Sequence, residues 1–459
     1  MEQTVTVPPH EPLTTPHATH QGGHREVWNL AYPIVLATIS ETLMNATDTF
    51  MVARLGTVEV AAVGLASMMT WLFYLPFLGL AMGINTFVAQ SYGAKAYREC
   101  GRMTWQGLSV AVVSGLFILS GILLGPVLFD LARPSPEVQR LGVSFFQIRL
   151  FDGPGLMVAM TIASFLRGIG DTKTPMKIGI GTNLLNLGLN YVLIYGHLGF
   201  PRLGVRGSAL GSAIAGLASG LVYVAIFFHP RYAEFGSRQA ARPVWPDLRR
   251  VLRVGVPIGV QRFLDIGSFV IFSALIGRLG DAQLAANQIG IQLMSVSYTV
   301  GIGIAAAATV LVGQYIGAKN LAAAERSAYS AVKLAIVYMG VVGVGFVLFP
   351  GTVIAFFNQD PDVIRFGREA LIAAAFFQVF DACGLVFSGA LRGAGDTRWT
   401  MVAALIGAWV FFLPLAYFLA LPLGLGFLGA WLGATAYICV LGLACFYRFR
   451  RGAWKRMVI

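Results

Sequence analysis

Twelve stretches of mostly apolar sequence, each long enough to cross a bilayer, constrain this chain more than any other feature. A helical span needs about 20 such residues. The segments fall at roughly 28–53, 58–92, 100–129, 138–165, 174–196, 207–229, 248–277, 283–316, 324–349, 365–390, 399–421 and 427–446. Several exceed the minimum and can tilt or project beyond the hydrocarbon. Apolar residues make up 56% of the 459 and charged residues 12%, about half the charged share of a soluble domain. Too few charges remain to clothe a water-facing surface, so a polytopic membrane protein is the expected class. Period-two alternation is absent, which argues against a β-barrel. Cys100, Cys383, Cys439 and Cys445 lie in or beside apolar runs, with no CxxC pair and no histidine at metal-ligand spacing. They read as small buried residues, not as a disulfide scaffold or a metal site. Small residues four apart, as at Gly207/Gly211, Gly216/Gly220 and Gly429/Gly433, let helix backbones approach closely in lipid.

The chain is nonetheless basic, with 33 Lys+Arg against 21 Asp+Glu and a net charge of +12. The surplus sits between the apolar segments. Lys95, Arg98 and Arg102 follow the second segment, and Arg167, Lys173 and Lys177 follow the fourth. Arg231, Arg238, Arg242, Arg249, Arg250 and Arg253 lie in the central linker, and Arg448, Arg450, Arg451, Lys455 and Arg456 at the C-terminus. The odd loops are short and mixed in sign, such as Arg54/Glu59 or Asp360/Asp362/Arg365. The bias of Lys and Arg toward the cytoplasm places both termini, the linker and the even loops on that side. Because the basic residues fall at loop positions, nucleic-acid binding is not expected. Residues 1–26 form a polar tail holding His10, His17, His20 and His24. It lacks the basic start and short apolar core of a signal peptide and is expected to be unordered.

The sequence repeats itself at an offset of about 224. Pro33-Ile34 matches Pro257-Ile258, and Arg54-Leu55-Gly56 matches Arg278-Leu279-Gly280. Gln90-x-x-Gly93-Ala94-Lys95 matches Gln314-x-x-Gly317-Ala318-Lys319. Leu166-Arg167-Gly168-x-Gly170-Asp171-Thr172 matches Leu391-Arg392-Gly393-x-Gly395-Asp396-Thr397. Parallel repeats in the same membrane orientation build transporters with a cavity between two lobes. The expected organisation is a cytoplasmic tail (1–26), a six-helix lobe (27–229), a basic cytoplasmic linker (230–247), a second six-helix lobe (248–446) and a basic cytoplasmic tail (447–459).

These paired blocks together resemble the multidrug and toxic compound extrusion (MATE) family, and its bacterial NorM-type branch in particular, over about residues 27–446. The resemblance implies an all-α polytopic membrane protein: twelve transmembrane helices in two pseudo-symmetric six-helix lobes around a central cavity. It implies a monomeric exporter of organic cations and other amphiphiles in a bacterial inner membrane, driven by inward H⁺ or Na⁺, with no further cofactor. The R-G-x-G-D-T blocks are glycine-rich, but P-loop spacing is absent. They read as turns in which Asp171 or Thr172 caps the following helix, with Pro175 in its first turn. Asp396 is expected to cap the matching helix in the second copy.

A carboxylate at the bilayer centre costs roughly 2.5–3.5 kcal/mol on insertion scales, so each one asks for a reason. Glu41 and Asp48 are seven apart in the first segment, two turns along one face, with Asn45 between them near that face. Asn183, Asn186 and Asn190 recur at helical spacing in the fifth. Together they suggest a polar cavity in the first half. The resemblance implies that Asp48 is protonated during transport, that its helix bends at Pro33, and that Asn186 and Asn190 match the polar pair of the fifth helix. Some relatives have a second aspartate where Asn190 stands. Asp265 and Asp381 in the second half match the acids of a cation site, which holds Na⁺ where the transporter is sodium-coupled. Two acids at membrane depth suit Na⁺, a proton or a cationic substrate alike. Arg262, one turn before Asp265, offers the competing reading of a neutralised pair, and Arg149 with Asp152 the same arrangement. Gln288 and Gln292 are candidate hydrogen-bonding groups of the cavity, and Trp71, Tyr298, Phe376, Phe377 and Phe380 candidate faces for a flat cation. A lipid-linked oligosaccharide flippase of the same superfamily is the alternative. It would favour a cationic cavity, whereas the mid-segment charges here are mostly acidic. An enzyme is not expected, since neither H-E-x-x-H nor G-x-S-x-G occurs.

Overall fold

The computed structural model describes residues 22–457. His10, His17 and His20 lie outside the described residues. Every regular element among the described residues is helical. In chain order the helices are α1 (His24–Ala53), α2 (Thr57–Gly93), α3 (Tyr97–Ser120), α4 (Gly125–Ala132), α5 (Pro136–Leu150), α6 (Gly153–Gly168), α7 (Lys173–Tyr195) and α8 (Val205–Phe227). After the linker follow α9 (Trp245–Gly277), α10 (Asp281–Gly317), α11 (Leu321–Leu348), α12 (Pro350–Ala355), α13 (Pro361–Gly393), α14 (Thr397–Leu405), α15 (Leu413–Ala420) and α16 (Gly426–Arg450).

All the apolar segments seen in the sequence are helical, and ten helical stretches are long and apolar enough to cross a membrane. An eleventh span arises if α5 and α6, which meet at a bend of 46°, are taken as one. The bend falls at Phe151-Asp152, with Pro154 in the first turn of α6. Proline lacks the N–H that would continue the helical ladder. A second irregularity precedes Pro414: the backbone between α14 and α15 widens into a π-helical turn over Ile406–Phe412, where the missing donor shifts the bonding. α1 is thirty residues long but carries Arg25, Glu26, Glu41 and Asp48, which lowers its apolar character. It begins at His24, inside the stretch expected to be tail, and its Glu26 accepts hydrogen bonds from the Tyr315 hydroxyl at 2.8 and 2.9 Å. The four cysteines are free, with Cys100 and Cys445 buried.

Helices α2 to α8 pack mainly on one another, as do α10 to α16. The first helix of each half departs from that pattern. Val27, Leu30 and Ala31 of α1 share a core with α10, α11 and α13. Val251, Val254 and Ile258 of α9 share one with α2, α3 and α6. Between the halves, α2 and α9 run in backbone contact. A Cβ on Gly79 would collide with the backbone of Gly259, and one on Gly259 with the Pro76 carbonyl. Close approach of this kind supplies the dispersion contacts that hold helices together in lipid, where no hydrophobic driving force separates helix from solvent.

Among the described residues, the hydrogen bonds and ion pairs joining the halves gather at one end. It is the end where the first and last described residues converge on the start of α11: Ser330 Oγ donates to the Gly22 carbonyl at 2.8 Å, and Lys455 pairs with Glu325 at 2.7 Å. Overpacking a close backbone contact costs about 1–3 kcal/mol. Gly79→Leu should therefore lower the melting temperature of the detergent-solubilised protein clearly. Gly64→Ala on the same helix, where a new Cβ meets nothing within 4 Å, should not. Equal melting curves for the two variants would contradict this account of the α2–α9 seam.

Candidate ion and substrate site

In the N-terminal half the polar faces of α1 and α7 meet. Asn183 Nδ2 donates to Ser40 Oγ at 2.6 Å, Asn190 Nδ2 to Asp48 Oδ1 at 2.7 Å, and the Tyr195 hydroxyl to the Met51 carbonyl at 2.8 Å. Asn190 Nδ2 also lies 3.1 Å from Asn186 Oδ1, and Asn186 Nδ2 donates to Ser212 Oγ at 3.0 Å on α8. A single chain of hydrogen bonds thus links Asp48, Asn190, Asn186 and Ser212, with Asn190 donating to both Asp48 and Asn186 and Asn186 to Ser212. Asn186 and Asn190 are buried, whereas Asp48 is only half-buried. Asn190 Oδ1 has no partner and abuts Gly211, where a Cβ would strike it. Glu41 and Asn45 are exposed on the same helix and stand outside the chain of bonds. Arg167, at the end of α6, is the cation that acts on Glu41. Pro33 is buried within a continuous α1.

In the C-terminal half, Asp265 on α9 and Asp381 on α13 are half-buried. Among the described residues neither carboxylate has a hydrogen-bond or ion-pair partner, so Arg262 does not neutralise Asp265 by direct pairing. Arg262 and Arg392 are the charges acting on Asp265. Tyr298 of α10 and Tyr437 of α16 lie within electrostatic reach of both acids. Gln288 and Gln292 are exposed on α10 and are not bonded to either acid. The buried amide of that helix is Asn287, which donates to Ser273 Oγ at 3.2 Å. Among the described residues no three His, Cys, Asp or Glu side chains converge. A Na⁺ ion held by Asp265 and Asp381 would therefore complete its shell with hydroxyl, amide or backbone oxygens.

The two halves are not chemical copies. Glu41 and Asp265 correspond at the repeat offset (265 − 41 = 224). Asp48, by contrast, corresponds to Phe272 (272 − 48 = 224), which packs on Phe412 with ring centroids 5.1 Å apart. Each half thus has one shared acid and one of its own.

Three other acids are structural. Asp152 pairs with Arg149, and its Oδ1 accepts from the Tyr74 hydroxyl at 2.6 Å. Both lie at the α5–α6 bend, so this pair satisfies the carboxylate that the break exposes. Asp171 accepts from the Thr174 backbone N–H at 3.0 Å and the Tyr232 hydroxyl at 2.9 Å, capping α7 as expected. Burial, then the adjacent Asp171, pushes the Tyr232 phenol up to about 12, which keeps it a donor. Asp396 departs from expectation. Its side chain makes no capping bond and instead takes Arg448 Nε at 2.8 Å, because α16 ends beside it and supplies a stronger, charged donor. Sequence reading counted Arg167 as loop charge and gave Arg392 no role of its own, and so missed that each acts on an acid of its own half. The signal available was their place directly before the Gly-x-Gly turn, in the last turn of a helix.

The family model described as MatE matches residues 33–192 and 257–418. The chain belongs to the MatE family. The two matched segments begin 224 residues apart (257 − 33), the offset of the internal repeat. Among its relatives, the multidrug resistance protein NorM of Burkholderia vietnamiensis is 31% identical over 432 residues, covering 92% of each chain. A structure described as the outward-facing conformation of a multidrug resistance MATE family transporter of the MOP superfamily superposes with a TM-score of 0.87 at 22% identity, over 97% of this chain and 100% of that one. The eukaryotic MATE transporter AtDTX14 gives 0.83 at 18%, over 94% and 96%. MatE proteins are membrane transporters and not enzymes.

Removing one partner of a buried ion pair costs about 3–5 kcal/mol, whereas replacing both with apolar residues is often neutral. Arg149→Leu alone should lower thermal stability in detergent markedly, and Arg149→Leu with Asp152→Leu should restore much of it. A double variant as unstable as the sum of the singles would show that the residues do not act as a pair.

Proposed function

We propose that this protein is a secondary antiporter that exports organic cations and amphiphilic drugs in exchange for inward H⁺ or Na⁺. One observation carries the reading: Asp265 and Asp381 lie within reach of the same two tyrosines, with no protein partner on either carboxylate. Acids placed to hold structure find partners, as Asp152, Asp171 and Asp396 do here. An unpartnered pair at membrane depth is suited to a cation that comes and goes. The name of the Burkholderia vietnamiensis relative points the same way.

In this reading α1 is a span and α5–α6 a single bent one, which gives twelve helices in two six-helix lobes with the boundaries set out from the sequence. The basic linker and both termini face the cytoplasm of a bacterial inner membrane, and the protein acts as a monomer. Substrate enters a central cavity from the cytoplasmic side. The coupling ion enters from outside, binds the carboxylates and favours release outward. Each charge moved down the membrane potential supplies about 2.3 kcal/mol per 100 mV, enough to bias two states close in energy. In the N-terminal lobe Asp48 is the exchanging acid. Asn190 holds its oxygen, and Asn186, bonded to Asn190, relays changes in its charge to α8. Glu41, Asn45, Gln288 and Gln292 line the route, and Pro33 gives α1 a place to flex.

Purified protein in liposomes should move a fluorescent organic cation against its gradient when a pH or Na⁺ gradient is imposed. Efflux indifferent to both gradients would remove antiport. Asp265→Asn and Asp381→Asn should each lower gradient-driven efflux at least tenfold while leaving membrane insertion intact. Full activity in both would take this site out of the mechanism.

A further inference from the structure

The glutamines and glycines of the repeat motifs that announced the two halves have no place in the carboxylate chemistry, and the structure brings them together. Gln90 Nε2, near the end of α2, donates to the Gly393 carbonyl of the opposite half at 3.0 Å. Its repeat mate Gln314, near the end of α10, donates to the Gly168 carbonyl at 2.9 Å. Each glutamine of one Gln-x-x-Gly-Ala-Lys motif thus reads the first glycine of the other half's Arg-Gly-x-Gly-Asp-Thr motif. The two Gln-x-x-Gly motifs also touch each other. A Cβ on Gly93 would collide with the Gln314 carbonyl, and one on Gly317 with the Gln90 carbonyl. Thr86 Oγ1 adds a bond to the Arg392 carbonyl at 3.0 Å.

We propose that Gln90 and Gln314 form a reciprocal latch that holds the linker-side end of the two halves shut. Opening toward that side requires both amides to release the Gly393 and Gly168 carbonyls. Three observations support a switchable contact over permanent packing. The bonds are two, related by the repeat, and each crosses from one half to the other. The backbones of the two Gln-x-x-Gly motifs meet because glycines stand at 93 and 317, so at these motifs the contact is made of hydrogen bonds and backbone approach, with no interlocked large side chains. The glycine each amide grips also directly follows an arginine that acts on an acid, Arg167 on Glu41 and Arg392 on Asp265. Closing the latch from one half therefore fixes the backbone carrying the cation beside the other half's carboxylate. That last link rests on the antiporter reading, while the latch itself does not.

Exposed Ala94 and Ala318 flank the seam. Spin labels at Ala94→Cys and Ala318→Cys, with Cys100, Cys383, Cys439 and Cys445 replaced, report its width in liposomes by pulsed electron resonance. The unaltered latch should give a dominant short distance. Gln90→Glu and Gln314→Glu keep the shape but remove the donor. Each should raise the ratio of long to short distances roughly two- to tenfold, the net worth of one hydrogen bond, and the double variant by about the product. Gly317→Ala, which forces the backbones apart, serves as the open reference if either glutamate variant fails to fold. Unchanged distances in the double variant, or in Gly317→Ala, would overturn the latch. Wider distances in a protein that shows no gradient-driven efflux would refute the antiporter reading and leave the latch standing.

Discussion

A charge at membrane depth must be paired, or else it is kept for exchange, and this constraint organises the molecule. The hydrocarbon offers no water to satisfy a carboxylate, so each acid carries a cost of a few kcal/mol until something compensates it. Asp152 meets the cost with Arg149 and Tyr74, while outside the apolar segments Asp171 pairs with the first turn of α7 and Asp396 with Arg448. Asp48 is half compensated by Asn190. Asp265 and Asp381 are compensated by no direct bond. The gradation from fully paired to unpartnered separates scaffold from candidate site more sharply than position along the chain does.

The repeat explains how such a molecule is built and why it is not symmetric. Duplication supplies matching turns, with Gly170 at φ 90 and Gly395 at φ 92. Both sit in the left-handed region that glycine enters without strain. Duplication also supplies the first helix of each half, whose opening turns sink into the opposite half. Divergence then placed Asp48 on one side, where Phe272 packs on the other, and Asp381 on the second side alone. The two halves thus share one frame and carry unlike acids on it.

Much of this was legible in the residues. Helix positions followed from apolar run length, because a membrane demands that every backbone group be satisfied within its own segment. The repeat offset and the candidate acids were equally plain. What escaped was local bonding. The α5–α6 break was signalled by Asp152-Gly153-Pro154, yet the apolar run around it masked the signal. The cap expected at Asp396 was lost to Arg448, a residue 52 positions away, which no local pattern reveals. Arg167 looked like a loop charge because linear position does not say which way a long side chain reaches.

In the proposed antiport, the organic cation and the coupling ion compete for the same carboxylates, which hold one or the other in turn. Linkage then makes each ligand displace the other by an equal factor. The most direct measurement is the number of protons or Na⁺ ions released when a fluorescent organic cation binds the detergent-solubilised protein in weak buffer. The account predicts release of at least one ion per cation bound, lost in the Asp48→Asn, Asp265→Asn, Asp381→Asn triple variant. Binding of the same affinity at every pH and Na⁺ concentration, with no ion released, would contradict it.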